Sequence, residues 1–354
     1  MVCRRPATPF YAVDSGTGAH VMTAPDGTVY KEFYGSNTTY QRTLPVRSEF
    51  WSSGTMQKWT TTNWTQDNTG VGYLINPRVT ESNIYDSASN HRRTTFGFYA
   101  YTRASGGLCT LPSDTYEYKP DPNSNILYRH THLGWQLDSG YLARGFSGLL
   151  HDTQVFDASG GTEVLVTHSS FWYDYGGELL APTNASDDTL VVQHDPSFNT
   201  SFQWRGNVAL AIKYDAVNDP NNANNTAQQV LTAHNSSGSV IFTRDPLYHQ
   251  TSVSYPDSFS DSVNRNTFAY PTTVTNAGGS QSFAKYNFDF GAKTQVKGPA
   301  PDGQSQGVIQ NLAYDGAGRL QQSTNANTGA YARYVYGPTY IQTYASVNNA
   351  ADEA

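Results

Sequence analysis

The chain is poor in most of what a nucleic-acid binder, a membrane helix or a cysteine-stapled domain is made from. Only 14% of its 354 residues are charged, and the balance leaves a net charge of -7. With no basic excess to neutralise phosphates, nucleic acid is not an expected partner. No window approaches the roughly 18 apolar residues of a membrane helix, so no membrane span is expected. The opening MVCRRPATPFYAVDSG lacks the apolar run of a recognisable signal peptide, and its Met can equally begin an excised piece of a longer chain. Cys3 and Cys109 are the only cysteines. They allow one disulfide at most and no cysteine metal motif, and two unpaired small residues is the simpler expectation.

Catalytic signatures are scarce as well. Only seven Glu occur, no Asp or Glu pair is marked by a motif as acid and nucleophile, and there is no GxSxG elbow. The sequence therefore predicts no catalytic residues, no cofactor and no enzyme.

What is abundant is aromatic. Tyr (25) and Phe (16) outweigh Met (3) heavily, so a core has to be built from aromatics, Val and Leu, which is a β-protein palette. Apolar residues recur at period two in TVYKEFYG, KWTTTNWT, FGFYAYT, TYEYK, VLVTHSSFWYDY and YARYVYG, while only Thr226 to Ala233 reads as a short helix. Turn clusters such as PDGT at Pro25, SSGT at Ser52, ASGG at Ala104 and Ala158, YGGE at Tyr175 and NAGGS at Asn276 separate the runs. The expected fold is all-β: a meander of short antiparallel strands and hairpins with little or no helix. The Asn-rich run from Tyr214 to Thr226 is the expected long loop.

NLAYDGAGRLQQSTN, Asn311 to Asn325, reads as a hairpin tip. Leu312 and Tyr314 alternate as on a half-buried strand, Asp315, Gly316 and Gly318 supply turn chemistry, and Leu320 returns opposite Tyr314 with Arg319 near Asp315. Tyr-Asp or a degraded copy recurs at Tyr85–Asp86, Phe156–Asp157, Tyr173–Asp174, Tyr214–Asp215, His234, Tyr255, Tyr286 and Tyr314–Asp315. Adjacent copies lie close to twenty residues apart: 17 from Phe156 to Tyr173, 20 from Tyr214 to His234, 21 from His234 to Tyr255 and 22 from Tyr314 to Tyr336. One two-strand hairpin fits that period, and a hairpin that cannot bury its own aromatic face has to stack on the next.

YDGAGRL, the upstream YNFDFGAKTQVKGPAPDGQ, and the pair RGNVALAIKYD and TRDPLYHQTSVSY together resemble the RHS/YD-repeat family of bacterial surface and secreted proteins. The likeness runs best from about Tyr141 to Tyr336, with Gly318, Arg319 and Leu320 in the copy nearest the consensus. It implies a spiralling β-sheet of the kind that closes into a shell, often around a C-terminal toxin in far longer proteins. This chain departs from that pattern: it has few repeats, no variable segment after them and no aspartyl self-cleavage motif, and His234 stands where a Tyr-Asp is lost. The corresponding division is a degenerate β region over 1–140, a repeat region over 141–344 and a polar tail over 345–354.

Three sets of residues invite chemistry. RHTH places His130 and His132 on one strand face, at the spacing two imidazoles need to share a metal, but no third ligand lies nearby in sequence. Asp215, Asn218 and Asp219 offer oxygens without the alternating calcium loop or its closing Glu. Neither set is complete, so no metal is expected. Six tryptophans and six sequons, at Asn37, Asn63, Asn184, Asn199, Asn224 and Asn235, are compatible with glycan contact or surface glycosylation. The aromatic segment Tyr331 to Tyr344, including Tyr334, Tyr336 and Tyr340, alternates like a strand with little chain after it, and an open spiral of hairpins ends in unpaired edges. The reading that follows is a structural, extracellular or cell-surface protein that self-associates through strand edges into a filament, tube or shell. A carbohydrate-binding adhesin module and a fragment of a toxin-encapsulating shell are the alternatives.

Overall fold

The structure is a computed structural model. It describes residues 10–35, 40–88, 90–103, 106–120, 125–174, 191–199, 201–220, 222–301 and 307–346. Among these, 22 strands form, and they pair antiparallel with their neighbours, as the period-two patterns predicted.

Two compact units divide the chain. The first comprises the described residues up to Phe171 together with Ile212–Ala227, and the second Trp172–Ala211 and the described residues from Gln228 on.

In the first unit each strand pairs with the next. The short β1 (Phe10–Val13), β2 (His20–Thr23) and β3 (Val29–Tyr34) lead into β4 (Pro45–Ser52) and the long β5 (Thr55–Thr65). The meander continues through β6 (Arg78–Asp86), β7 (His91–Thr102), β8 (Leu108–Tyr118), β9 (Leu127–Trp135), β10 (Leu150–Asp157) and β11 (Val164–Tyr173). A five-residue helix, α1 (Ser139–Ala143), links β9 to β10, with the Asp138 carboxylate accepting from the Gly140 amide. No apolar period announced that helix; its local signal is the Asp-Ser start, since Asp at an N-cap satisfies an otherwise orphaned amide.

After β12 (Val208–Tyr214), the second meander runs through β13 (Gln228–His234), β14 (Val240–Arg244), β15 (Gln250–Ser254), β16 (Thr273–Thr275) and β17 (Gln281–Tyr286). It ends with β18 (Lys293–Lys297), β19 (Ile309–Tyr314), β20 (Leu320–Asn325), β21 (Tyr331–Tyr336) and β22 (Ile341–Ala345). Thr226 to Ala233, which in sequence reads as a short helix, falls largely on β13. There Val230, Thr232 and His234 alternate with Gln229, Leu231 and Ala233, and β-branched residues on a paired strand override a weak helical pattern. The Asn-rich run is the loop expected of it: Asp219 accepts from the amides of Ala223 and Asn224 and from the Thr226 hydroxyl.

Most strand residues are half-buried. Among the described residues the buried apolar positions are scattered and, apart from Leu44 and Ile241, small or aromatic, such as Ala19, Tyr40, Tyr141, Ala233, Phe259 and Tyr286. Packing along the sheet is by rings paired across strands: Trp59 stacks on Tyr85 at 4.7 Å with an interplanar angle of 4°, and Tyr85 on His91 at 4.8 Å. Such cross-strand aromatic pairs each contribute about 0.5 to 1 kcal/mol.

Candidate functional site

Strands β8, β9 and β10 bring one polar cluster together. Their register sets Asp114 opposite His132, and His130 between Tyr116 and Phe156. Alternate residues project from one face, so both imidazoles and the carboxylate share it. Asp114 Oδ1 lies 2.8 Å from His132 Nδ1 and 3.0 Å from His130 Nε2. The other nitrogen of His130, Nδ1, faces Glu163 Oε2 at 3.1 Å. Ser113 holds the second oxygen of Asp114 at 2.6 Å. The His130 ring is fixed by stacking on Tyr116 at 4.3 Å and on Phe156 at 5.2 Å, and the residue is buried.

Room for the carboxylate comes from the neighbouring strand. Gly97 on β7 is register partner to Asp114, and a Cβ there would lie 2.9 Å from Asp114 Oδ2. Burial pushes the Asp114 carboxyl up, but hydrogen bonds from Ser113, His132 and His130 outweigh it and hold the group below its usual range. The pattern recurs two strands on. Gly134 leaves space for Asp152, whose carboxylate lies 2.6 Å from His168 Nε2, and the His168 ring stacks on Tyr214 at 4.1 Å. The sequence showed the His130/His132 pair but not Asp114, which sits across one hairpin; the signal that would have found it is the β8–β9 register.

The repeat residues do a different job. Asp315 Oδ1 accepts from the amides of Ala317 and Arg319, Oδ2 takes the Arg319 guanidinium at 2.7 Å, and Gly318 closes the turn at φ 75°. Tyr314 and Leu320 are register partners across this turn, as expected. Asp86, Asp157 and Asp215 cap their own turns through the amides of Ala88, Ser159 and Asn218, and Asp174 gathers the amides of Arg205, Gly206 and Asn207. Asn235 and Asn276 act in the same way toward Ser239 and Ser280.

The tyrosine half of the motif reaches backward. Tyr255, Tyr286, Tyr314 and Tyr336 each donate a hydroxyl to a backbone carbonyl at or near the start of the preceding strand, those of Val240, Pro271, Lys293 and Leu320, at 2.7 to 2.9 Å. Tyrosine ties a strand to the one before it, and aspartate turns it toward the one after. Arg319 also lies over the Tyr336 ring at 4.4 Å, which joins successive copies. Tyr85 and Tyr214 instead stack on neighbouring rings.

Other predicted positions separate. Asp215 and Asp219 spend their carboxylates on their own loop, so they do not converge on a common point for calcium. Asn63, Asn199 and Asn224 are exposed, Asn235 is bound into its turn, and Asn37 and Asn184 lie outside the described residues. So does Cys3, while Cys109 is buried without a disulfide. Tyr331, Tyr334 and Tyr336 are half-buried on β21, which β20 and β22 flank on both sides, so the edge predicted there falls one strand later, beside the exposed Tyr340. The polar tail beyond Ser346 is outside the described residues.

In sequence, no protein-family model matches the chain, and no curated protein matches it. In structure, it aligns with a chain of the TcdB2-TccC3-Cdc42 crystal structure at a TM-score of 0.52 and 10% identity, over 96% of this chain and 22% of that one. TcdB2-TccC3 without its hypervariable C-terminal region aligns at 12% identity over 98% of this chain and 20% of that one, with a TM-score of 0.20. A porin-like protein from Bacteroides uniformis aligns over 95% and 91% of the two chains at 10% identity and a TM-score of 0.19. The likeness at 0.52 concerns the fold, and this chain spans about a fifth of the length of the first two solved chains.

Proposed function

We propose that this chain is a non-enzymatic length of β-sheet wall of the YD-repeat type, placed at the cell surface or outside the cell. The observation that carries this reading is the recurrence from β14 to β21 of two hairpin joints, a tyrosine hydroxyl pinned to the preceding strand and an Asp- or Asn-capped turn, which follow one another directly at Tyr286–Asn287 and Tyr314–Asp315. A protein whose recurring residues serve chiefly to join hairpins is built to extend a sheet. The fold likeness to a much longer chain supports the same reading, with a fragment of a toxin-type shell as its narrower form.

The edges supply the means of assembly. β1 pairs with β2 alone and β22 with β21 alone among the described residues. Phe10 and Tyr11 on β1 are 67% and 71% exposed and Ile341 on β22 is 65% exposed, which is the unpaired, apolar edge that a further strand covers. Light scattering and electron micrographs of the full chain test this: large particles are expected, and the pair Tyr11→Lys with Ile341→Lys should dissolve them while leaving β-type circular dichroism. A strict monomer at high concentration would sink the assembly reading.

One observation favours the adhesin alternative. The face of β1–β3 carries Tyr11, His20, Met22, Tyr30, Glu32 and Tyr34 around a hollow of about 690 Å3. Exposed tyrosine rings beside a carboxylate suit a sugar face, and glycan-array binding lost in Tyr30→Ala would move that reading ahead.

A further inference from the structure

We propose that Asp114, His130 and His132 form a binding site for a first-row divalent cation that clamps β8 to β9. Among the described residues this is the one group of three such donors whose ligand atoms lie within 4.8 Å of one another. Two imidazoles and one carboxylate are the donor set that first-row metals share.

Distance supports the assignment. Two donors each about 2.1 Å from a common ion stand about 3.0 Å apart at an angle near 90° and about 3.4 Å apart at a tetrahedral one. Asp114 Oδ1 stands 2.8 Å from one imidazole nitrogen and 3.0 Å from the other, each the spacing of two donors at adjacent positions on one ion, and all three ligand atoms lie within 4.8 Å of one another. The cluster is reached from solvent on the His132 side, whose side chain is 40% exposed while that of His130 is 11% exposed.

The surroundings are those of a ligand set. Glu163 Oε2 faces His130 Nδ1 at 3.1 Å, so with a cation bound Nδ1–H would donate to Glu163 and Nε2 would give its lone pair to the ion in place of a proton shared with Asp114; a carboxylate behind a histidine in this way orients it and raises its basicity. Ser113 holds the second carboxylate oxygen and leaves Oδ1 for the ion. Tyr116 and Phe156 clamp the His130 ring from both sides. Gly97 lacks the Cβ that would crowd the carboxylate out of that position. The competing account is that the cluster is held by protons alone, with both nitrogens of His130 donating to carboxylates.

Titration of Zn2+ into the full chain, stripped with chelator and held at about pH 7.5 where neutral imidazoles can ligate, separates the two. The expected result is one equivalent bound, a rise in melting temperature, and absorption bands of six- or five-coordinate Co2+ when cobalt replaces zinc. His132→Ala and Asp114→Asn should each weaken binding by about a hundredfold and Glu163→Gln by about tenfold, while His249→Ala, on a hairpin of the second unit, leaves it unchanged. Should His132→Ala misfold, ring-nitrogen NMR shifts of His130 and His132 in the unmutated chain on zinc addition report on the same site. No saturable binding, binding unaltered in Asp114→Asn, or unmoved ring resonances would each overturn the site and leave the proton-held cluster.

Discussion

Replacing Tyr286 separates what its ring contributes from what its hydroxyl contributes. The ring is 4% exposed and stacks on Tyr270 at 4.7 Å, and the hydroxyl donates to the Pro271 carbonyl at 2.9 Å. Tyr286→Ala removes a buried aromatic and should cost on the order of 4 kcal/mol. Tyr286→Phe keeps the stacking and loses one hydrogen bond, about 1 kcal/mol. Tyr314 is less buried but makes the shorter bond, 2.7 Å to Lys293, so its Ala variant should cost on the order of 3 kcal/mol and its Phe variant again about 1. The Phe losses at 286 and 336, which share no partner, should add to about 2 kcal/mol, whereas 314 and 336 meet at Leu320 and should couple. Urea midpoints at unchanged slope measure each contribution. If all three Phe variants unfold at the parental midpoint, the hydroxyl pins contribute nothing; if Phe and Ala cost the same, the ring contributes nothing. Either result would leave the tyrosine of the repeat without its double role as buried ring and backbone tie.

Tyr248 sits at φ 64° in the turn position that Gly238, Gly279 and Gly318 fill elsewhere, and it is 74% exposed; Tyr248→Gly should therefore raise stability by about 1 kcal/mol in thermal or urea unfolding, and a loss would mean the side chain makes a needed contact. Asp257 accepts from the amides of Arg265, Thr267 and Phe268 and from the Thr267 hydroxyl; burial pushes its carboxyl up, but these bonds outweigh that and hold it low. Its folded value being depressed, its stabilisation is present above the unfolded carboxylate range and is lost as pH falls below about 4, so Asp257→Asn should flatten the acid limb of a stability-versus-pH curve. Gly97→Val should destabilise the first unit by crowding Asp114, whereas Gly107→Val, with nothing near its missing Cβ, should cost far less; comparing their melting temperatures checks the cradle.

The parts of this molecule that were legible in its sequence are those set by near neighbours. Strand period, the Asp315 turn and the pairing of Tyr314 with Leu320 depend on six or seven consecutive residues, and all three stand as read. The hydroxyl pins were not legible, because Tyr314 reaches 21 residues back to Lys293 and nothing at either end marks the carbonyl as its partner. Asp114 was missed for the same reason and a further one. Its place beside His130 and His132 follows from the β8–β9 register, and a shift by one residue would have sent it to the opposite face. Gly97 and Gly134, which as strand glycines read as weak points, are where the sheet admits a carboxylate. That inversion belongs to the first unit. In both units recurring polar residues serve hairpin joints and lie at strand ends, Asp86 and Asp157 in the first and Asp315 in the second. In the first, the Asp–His pairs lie in the middle of strands, each facing a glycine that no turn requires, and a mid-strand position gives a carboxylate no part in reversing the chain. Residues that a sheet accommodates at that cost in packing are the ones whose chemistry is worth titrating first.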